Sequence, residues 1–89
     1  PVGFHYANEP EPGMIFGQEV GSPVNVRSGP GLSFEVTDTT EVGYYVEVVG
    51  QAFSQACETW IEVRFPISQQ SGWVHSRYIM LTYGRGWWI

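Results

Sequence analysis

The sequence predicts an all-β domain that folds as a small barrel or a strongly bent sandwich. Its 89 residues are enough for one domain and too few for two. Short runs of alternating apolar and polar residues follow one another, separated by Gly, Pro and Ser. No window keeps a 3.6-residue period, so we expect at most one helical turn. Short strands in so small a domain can bury their apolar faces only if the sheet curls.

The N-terminal residues 1–13 predict an extended, solvated arm. Three prolines and two glutamates lie within Pro1–Pro12, and the run Glu9-Pro10-Glu11-Pro12-Gly13 favours an open backbone. We favour a linker over a recognition motif for this segment. Because the chain begins at Pro1 and not at methionine, we expect a processed product or a piece of a longer protein.

Residues 14–82 contain the predicted strands. Period-2 alternation is clearest in Tyr44–Val49 and in Thr59–Phe65, where Ile61 and Val63 share one face while Trp60 lies on the other. The expected strands are, in order, Met14–Val20, Val24–Arg27, Phe34–Thr40, Tyr44–Val49, Thr59–Phe65, Gly72–His75 and Ile79–Thr82. The expected connections are the turn Ser28–Gly31, a polar loop Gly50–Glu58, a hairpin loop Pro66–Ser71 and a tight turn Ser76–Tyr78.

The charge of the chain argues against two classes of partner. The net charge is −5, from nine acids and four arginines, and lysine is absent. Nucleic acids and anionic lipids both require clustered basic residues, whereas Arg27, Arg64, Arg77 and Arg85 are scattered. We therefore expect no nucleic-acid partner. No apolar run approaches the ~20 residues of a membrane-spanning helix, so we expect no transmembrane segment.

The residues that could support catalysis or bind metal are few. Cys57 is the only cysteine, so an internal disulfide is excluded. Cys57 and His75 are the only conceivable nucleophile and base, and no third group is evident to orient the histidine. His5, Cys57 and His75 lack metal-ligand spacing. We expect no catalytic residue, no metal site, no cofactor and no enzymatic activity.

Four sequence blocks resemble the bacterial SH3 (SH3b) family. Val24–Pro30 is similar to the family's opening "LNVRSGPS", and Val42–Gly50 to "KKGDKVEVLG". Trp60–Arg64 is similar to "WYKVRL", and Gly72–Ile79 matches "GWVHSRYL" almost residue for residue. The blocks occur in the right order over roughly residues 17 to 81. The arm 1–13, the long loop Gly50–Glu58, the missing lysines and the tail 83–89 depart from the pattern.

The resemblance implies an SH3-like barrel of five to seven short strands over residues 14–82. Such domains are non-catalytic, need no cofactor, and usually accompany cell-wall hydrolases or envelope proteins. We therefore expect a binding module that targets the cell wall or envelope, in an extracytoplasmic location such as the periplasm. Its partner would be a peptide, peptidoglycan or a partner protein.

Several aromatic residues are candidates for the ligand site. Trp60 lies on the polar face of its strand, and by comparison with eukaryotic SH3 domains it occupies the position of the groove tryptophan. The same comparison places His75 at the groove proline and Tyr78 at the groove tyrosine. Tyr45 and Phe34 are lesser candidates. The alternative is that Trp60 and Tyr78 only cover the edge of the barrel.

Three other residues have expected structural roles. We expect Trp73 to pack in the core, and Gly72 to allow the close approach of another chain segment or to supply a bulge. Arg27 is expected to brace loop carbonyls or a glutamate, because its guanidinium offers several donors.

The tail 83–89 suggests a second function. Two glycines precede Trp87, Trp88 and Ile89, which could pack on the barrel, dock on another chain or continue into a longer parent. Two hypotheses remain open: a targeting module with an aromatic ligand surface, and a structural or adaptor subunit held in an assembly or oligomer by its arm and tail.

Overall fold

A computed structural model describes residues 3–82 of the chain, with side chains from residue 9 onward. Seven strands and one 3-10 turn make up the described part, which confirms the all-β class. The strands are β1 (Gly3–Ile15), β2 (Pro23–Arg27), β3 (Val36–Glu41), β4 (Tyr45–Phe53), β5 (Thr59–Arg64), β6 (Ser71–His75) and β7 (Ile79–Leu81), and the 3-10 turn (Ser76–Tyr78) joins the last two strands.

The strands form one antiparallel sheet in the order β3-β2-β6-β5-β4-β1-β7. Its two outer strands, β3 and β7, are not joined by strand pairing, so the sheet is curved but not closed. Register shifts between Tyr6 and Glu11, between Val26 and Arg27, and between Val48 and Gly50 interrupt three of the pairings. Such bulges bend a strand and increase its twist, so they help the sheet curl in the manner of an SH3-like barrel.

The curved sheet surrounds one main hydrophobic core. Its members come from five strands and one connecting loop, and they alternate along the strands as period-2 burial requires. They are Ile15, Val24, Val26, Val42, Val46, Val48, Ile61, Val63 and Val74. All are β-branched, which suits a pleated surface packed on one face. A second, smaller cluster of Ala52, Trp60 and Trp73 lies on the other face of β5 and β6.

The first strand differs from the sequence prediction at both ends. β1 begins at Gly3 and ends at Ile15, whereas Met14–Val20 was expected. The segment expected to be a solvated arm pairs with β4 and, near its end, with β7. Pro12 has no N–H, but its carbonyl accepts hydrogen bonds from the backbone N–H and the hydroxyl of Thr82, both at 3.2 Å. A proline can therefore remain in this strand without loss of the contact to Thr82.

β4 also extends further than the sequence predicted. It runs to Phe53, so the first residues of the expected loop Gly50–Glu58 belong to the strand. The bulge between Val48 and Gly50 changes the phase of alternation, so Ala52 pairs with Trp60 in the second cluster and not with the main core that contains Val48. The bounds of β2, β3, β5, β6 and β7 agree with the prediction to within two residues.

Gly72 confirms the expected close approach. A Cβ at this position would collide with Cγ1 of Val26 and would lie 3.3 Å from the carbonyl oxygen of Arg27. Both atoms belong to β2, which pairs with β6 through Arg27 and Trp73. The absence of a side chain at Gly72 therefore lets these two strands pack together.

Candidate functional site

The pairing of β5 with β6 places two aromatic rings side by side. Trp60 is the register partner of His75, and paired residues in an antiparallel sheet project to the same face. The two ring centroids are 5.1 Å apart at an interplanar angle of 71°. This edge-to-face arrangement is one that aromatic pairs prefer.

His75 also organises the turn that follows it. It is the N-cap of the 3-10 turn, and its Nδ1 accepts a hydrogen bond from the backbone N–H of Arg77 at 3.1 Å. The Nε of the Arg77 side chain donates to the same atom at 3.3 Å. Because Nδ1 accepts, a neutral His75 carries its proton on Nε2, where it donates to Oε1 of Glu58 at 3.2 Å. The imidazole is thus fixed by hydrogen bonds at both ring nitrogens.

The turn brings Tyr78 into line with these two rings. Its ring centroid lies 6.5 Å from that of His75, again edge-to-face at 73°. The guanidinium carbon of Arg77 lies 5.9 Å from the centroid of the Tyr78 ring, within cation–π range. The backbone carbonyl of Tyr78 accepts from the N–H of Phe16 at 2.7 Å, which anchors the end of the turn.

These rings line one side of a groove with a volume of about 510 Å³, and we call it the aromatic groove. The lining also includes Leu32 and four residues of β2, namely Pro23, Val24, Asn25 and Arg27. Glu58 and Arg77 add one charge of each sign to its lining. A groove of this size falls within the range of small-ligand sites, which is about 300–1,000 Å³.

Arg27 braces the loop that borders the groove, as expected. Its NH1 donates to the carbonyl oxygens of Leu32 at 3.2 Å and of Phe34 at 2.9 Å. One charged group therefore satisfies two carbonyls of the loop 28–35, which has little regular structure of its own.

A comparison with protein-family models decides the family. The model of the bacterial SH3 domain matches residues 22–80, the span that contains all four of the sequence blocks. The chain belongs to the bacterial SH3 domain family. Comparisons with curated proteins and with solved structures gave no match. The family indicates a binding module in general terms.

The position of Trp60 in this bacterial SH3 domain requires a correction. The sequence correctly predicted that Trp60 faces away from Ile61 and Val63, and it left open whether the ring belongs to a ligand surface or only covers the edge of the barrel. Trp60 is only 3% exposed, because Ala52 and Trp73 pack against it in the second cluster. Only a small part of Trp60 therefore lines the groove. Trp73 is buried as well, in agreement with its expected packing role.

The domain brings some of the other candidate residues together and separates others. Tyr78 is 37% exposed and His75 is partly buried, and both line the aromatic groove with Trp60. Phe34 lines a neighbouring pocket that also contacts Trp60. Tyr45, in contrast, pairs with Met14 in β1 and does not line the groove. Trp87, Trp88 and Ile89, expected to dock on a partner, lie outside the described residues.

Two charged groove residues, Glu58 and Arg77, were missed by the sequence analysis of this SH3 domain. Glu58 precedes β5 by one residue, so it shares the alternation of Trp60, two positions later. That spacing was available in the sequence, but Glu58 was assigned to a polar loop. Arg77 lies between His75 and Tyr78, and its role depends on the 3-10 turn, which sequence periodicity does not reveal.

Two further observations concern the described part of the domain. No group of three or more His, Cys, Asp or Glu side chains converges within the described residues. Across residues 3–82, no helix has the length and hydropathy that crossing a bilayer demands.

Proposed function

We propose that this domain is a targeting module of the bacterial cell wall or envelope that binds a peptide or a glycan in the aromatic groove. The observation that supports this most directly is the row of three rings, Trp60, His75 and Tyr78, held edge-to-face along one side of the groove. Because Trp60 is only 3% exposed, the ring surface open to a ligand is that of Tyr78 and, to a smaller extent, of His75. Rigid rings give contact area at a low cost in conformational entropy, and the tyrosine hydroxyl can hydrogen-bond at the rim.

The charges around the groove support a ligand with polar as well as apolar groups. The side chain of Glu58 is 45% exposed and Arg77 lies beside the ring of Tyr78. These two side chains can orient a ligand, while the rings supply most of the contact area. An envelope target implies an extracytoplasmic location, which is part of the same proposal.

Tyr78→Ala tests this proposal more cleanly than a change at Trp60. Trp60 is a member of a buried cluster, so its removal would disturb the fold. Tyr78 is more exposed, and its backbone bond to Phe16 remains after truncation. Tyr45→Ala is the matched control, because Tyr45 is 51% exposed and lies outside the groove.

The assay is co-sedimentation of each purified variant with insoluble peptidoglycan sacculi. We expect the wild type to bind, Tyr45→Ala to bind equally, and Tyr78→Ala to lose about tenfold in affinity, as a groove hot spot should. The proposal is wrong if the wild type stays in the supernatant. It is also wrong if a folded Tyr78→Ala variant binds as well as the control.

A further inference from the structure

The arginines of the described residues differ in the groups that they bind. Arg64 forms an ion pair with Glu47, with 2.9 Å between Nη2 and Oε1. Arg27 donates from Nη1 to two carbonyls of the loop 28–35. Arg77 lines the aromatic groove, and no carboxylate among the described residues lies within ion-pair distance of its guanidinium. Its positive charge is therefore available to a ligand in the groove.

Two contacts fix the orientation of the Arg77 side chain. Its Nε donates to Nδ1 of His75 at 3.3 Å, and its Cζ lies 5.9 Å from the centroid of the Tyr78 ring. Because Nε is used in this way, the two terminal amino groups of the guanidinium remain as donors in one plane. Such a pair of donors can form two parallel hydrogen bonds to a single carboxylate, and charged bonds of this kind are about twice as strong as neutral ones.

His75 separates Arg77 from the acidic group of the groove. The other ring nitrogen of His75, Nε2, lies 3.2 Å from Oε1 of Glu58, so the imidazole bridges the carboxylate and the guanidinium. Glu58 therefore binds the histidine and leaves the charge of Arg77 unneutralised. The groove consequently carries a negative group and a positive group at different positions along its lining.

This distribution of charge favours a ligand with one isolated anionic group. A polymer with a charge on every repeat would meet Glu58 and the net charge of −5 of the chain. A ligand with a single carboxylate can place it at Arg77 and keep its neutral part near Glu58. A neutral hydroxyl forms a weaker hydrogen bond to a guanidinium than a carboxylate does, so Arg77 also discriminates against an uncharged sugar.

We propose that Arg77 binds a free carboxylate of the ligand in the aromatic groove. The inference rests on the proposed function, since it takes this groove to be the ligand site. The apolar atoms next to the carboxylate lie against the ring of Tyr78, which is 37% exposed. In peptidoglycan, free carboxylates belong to the peptides, so the charged end of a wall peptide is the expected occupant.

The first test uses two small probes that differ in charge, N-acetylalanine and N-acetylalaninamide. NMR titrations of the full chain follow the Nε–H signal of Arg77 and the backbone amides of residues 75–78. We expect saturable shifts with N-acetylalanine, and binding of the amide that is about tenfold weaker or less, because the amide cannot form the charged pair.

Substitutions at Arg77 test the role of its guanidinium. Arg77→Gln removes the charge and should weaken N-acetylalanine binding about tenfold. Arg77→Lys keeps the charge but loses the planar pair of donors, so it should restore only part of the affinity. Arg64→Gln is the matched control, because it makes the same change of charge outside the groove, and it should bind like wild type. Circular dichroism checks that each variant is folded.

The second test uses sacculi that hydrofluoric acid has freed of attached phosphate polymers. One half is then amidated with carbodiimide and ammonia, which converts the carboxylates of the peptides into neutral amides. We expect wild type to co-sediment with the acid-treated sacculi and to lose about tenfold in affinity after amidation. Arg77→Gln should bind both preparations equally weakly.

The inference is overturned if neither probe shifts Arg77, if the amide binds as tightly as N-acetylalanine, or if folded Arg77→Gln behaves like Arg64→Gln. It is also overturned if amidation leaves sacculus binding unchanged, or if hydrofluoric acid abolishes binding, which would assign Arg77 to a phosphate.

Failure of the proposed function gives a different pattern. In that case no sacculi are bound, while N-acetylalanine still binds wild type and not Arg77→Gln, so the carboxylate site stands and its ligand lies outside the cell wall. Sacculus binding that requires Tyr78 but is indifferent to Arg77→Gln and to amidation leaves the proposed function standing and this inference refuted.

Discussion

Replacing Gly72 by alanine tests how closely β2 packs against β6. Both strands contribute residues to the lining of the aromatic groove. The new Cβ would collide with Cγ1 of Val26, a side chain that is almost fully buried in the main core. The carbonyl of Arg27, 3.3 Å away, prevents the methyl group from moving aside toward the backbone. An extra methyl group in a packed core costs about 1–3 kcal/mol. For a domain of this size, each kcal/mol lowers Tm by about 4–8 °C.

A double-mutant cycle identifies the atom responsible. Val26→Ala removes the colliding Cγ1 and by itself costs about 2–3 kcal/mol, from lost burial and the remaining cavity. In that background Gly72→Ala should cost almost nothing, because the methyl group enters the space that Val26 vacated. The two changes together should therefore cost about 1–3 kcal/mol less than the sum of their separate costs. Urea denaturation of wild type, the two single variants and the double variant measures this coupling.

Gly31→Ala is the control for the general effect of changing glycine to alanine. An added Cβ at Gly31 would lie 3.5 Å from the Phe34 ring, which is an ordinary contact, so stability should change by less than about 1 kcal/mol. If Gly72→Ala unfolds at the wild-type urea concentration, or if its cost is unchanged by Val26→Ala, the described contact between β2 and β6 is wrong.

Three further changes probe the loop beside the groove, a partly buried glutamate and a turn. Arg27→Met keeps the side-chain stem but removes the donors to Leu32 and Phe34, so the free energy of unfolding should fall by about 1 kcal/mol and amide exchange in the loop 28–35 should quicken. Partial burial raises the pKa of Glu62 above its ordinary value of 4.5, so the ionised carboxylate destabilises the folded state. Glu62→Gln should therefore have a higher free energy of unfolding than wild type at pH 7, and it should lose that advantage as the pH falls below 4.5. Urea titrations of both proteins at the two pH values measure this difference. Gly43 has φ of 104°, so Gly43→Ala should lower stability by about 1–2 kcal/mol by calorimetry, and an unchanged Tm would contradict this conformation.

The sequence predicted much of the fold because period-2 alternation is a local signal. It located β2, β3, β5, β6 and β7 to within two residues, and it gave the correct facing of Trp60 relative to Ile61. The resemblance to the bacterial SH3 family was carried by short motifs, and the family match over residues 22–80 confirms it.

The remaining features depend on contacts between distant segments. β1 was missed because its prolines disfavour a strand locally, whereas β4 and Thr82 provide the partners that keep it extended. The burial of Trp60 was missed because alternation gives the direction of a side chain but not what covers it. Ala52 covers it only after the bulge near Gly50 has changed the phase of β4.

The same distinction between local patterns and distant contacts explains why only part of the site could be predicted from the sequence. His75 and Tyr78 are three residues apart and share the groove through a short turn, so the sequence motif was sufficient to find them. The neighbouring pocket, which Phe34 and Trp60 line, needs the loops 28–35 and 54–58 to meet, and their separation along the chain hides this from any local pattern. Tyr45 was a lesser candidate, and its strand carries it away from the groove.

The most direct test of the ligand site is a two-dimensional amide NMR titration of the full chain with a muramidase digest of peptidoglycan. The account predicts chemical-shift changes concentrated at Glu58, Trp60 and residues 75–78, with smaller changes along β2 at Asn25 and Arg27. Unchanged spectra at saturating digest would contradict the proposed function. Shifts confined to the region around Met14 and Tyr45, with the groove silent, would place the ligand site elsewhere on the domain and refute the account.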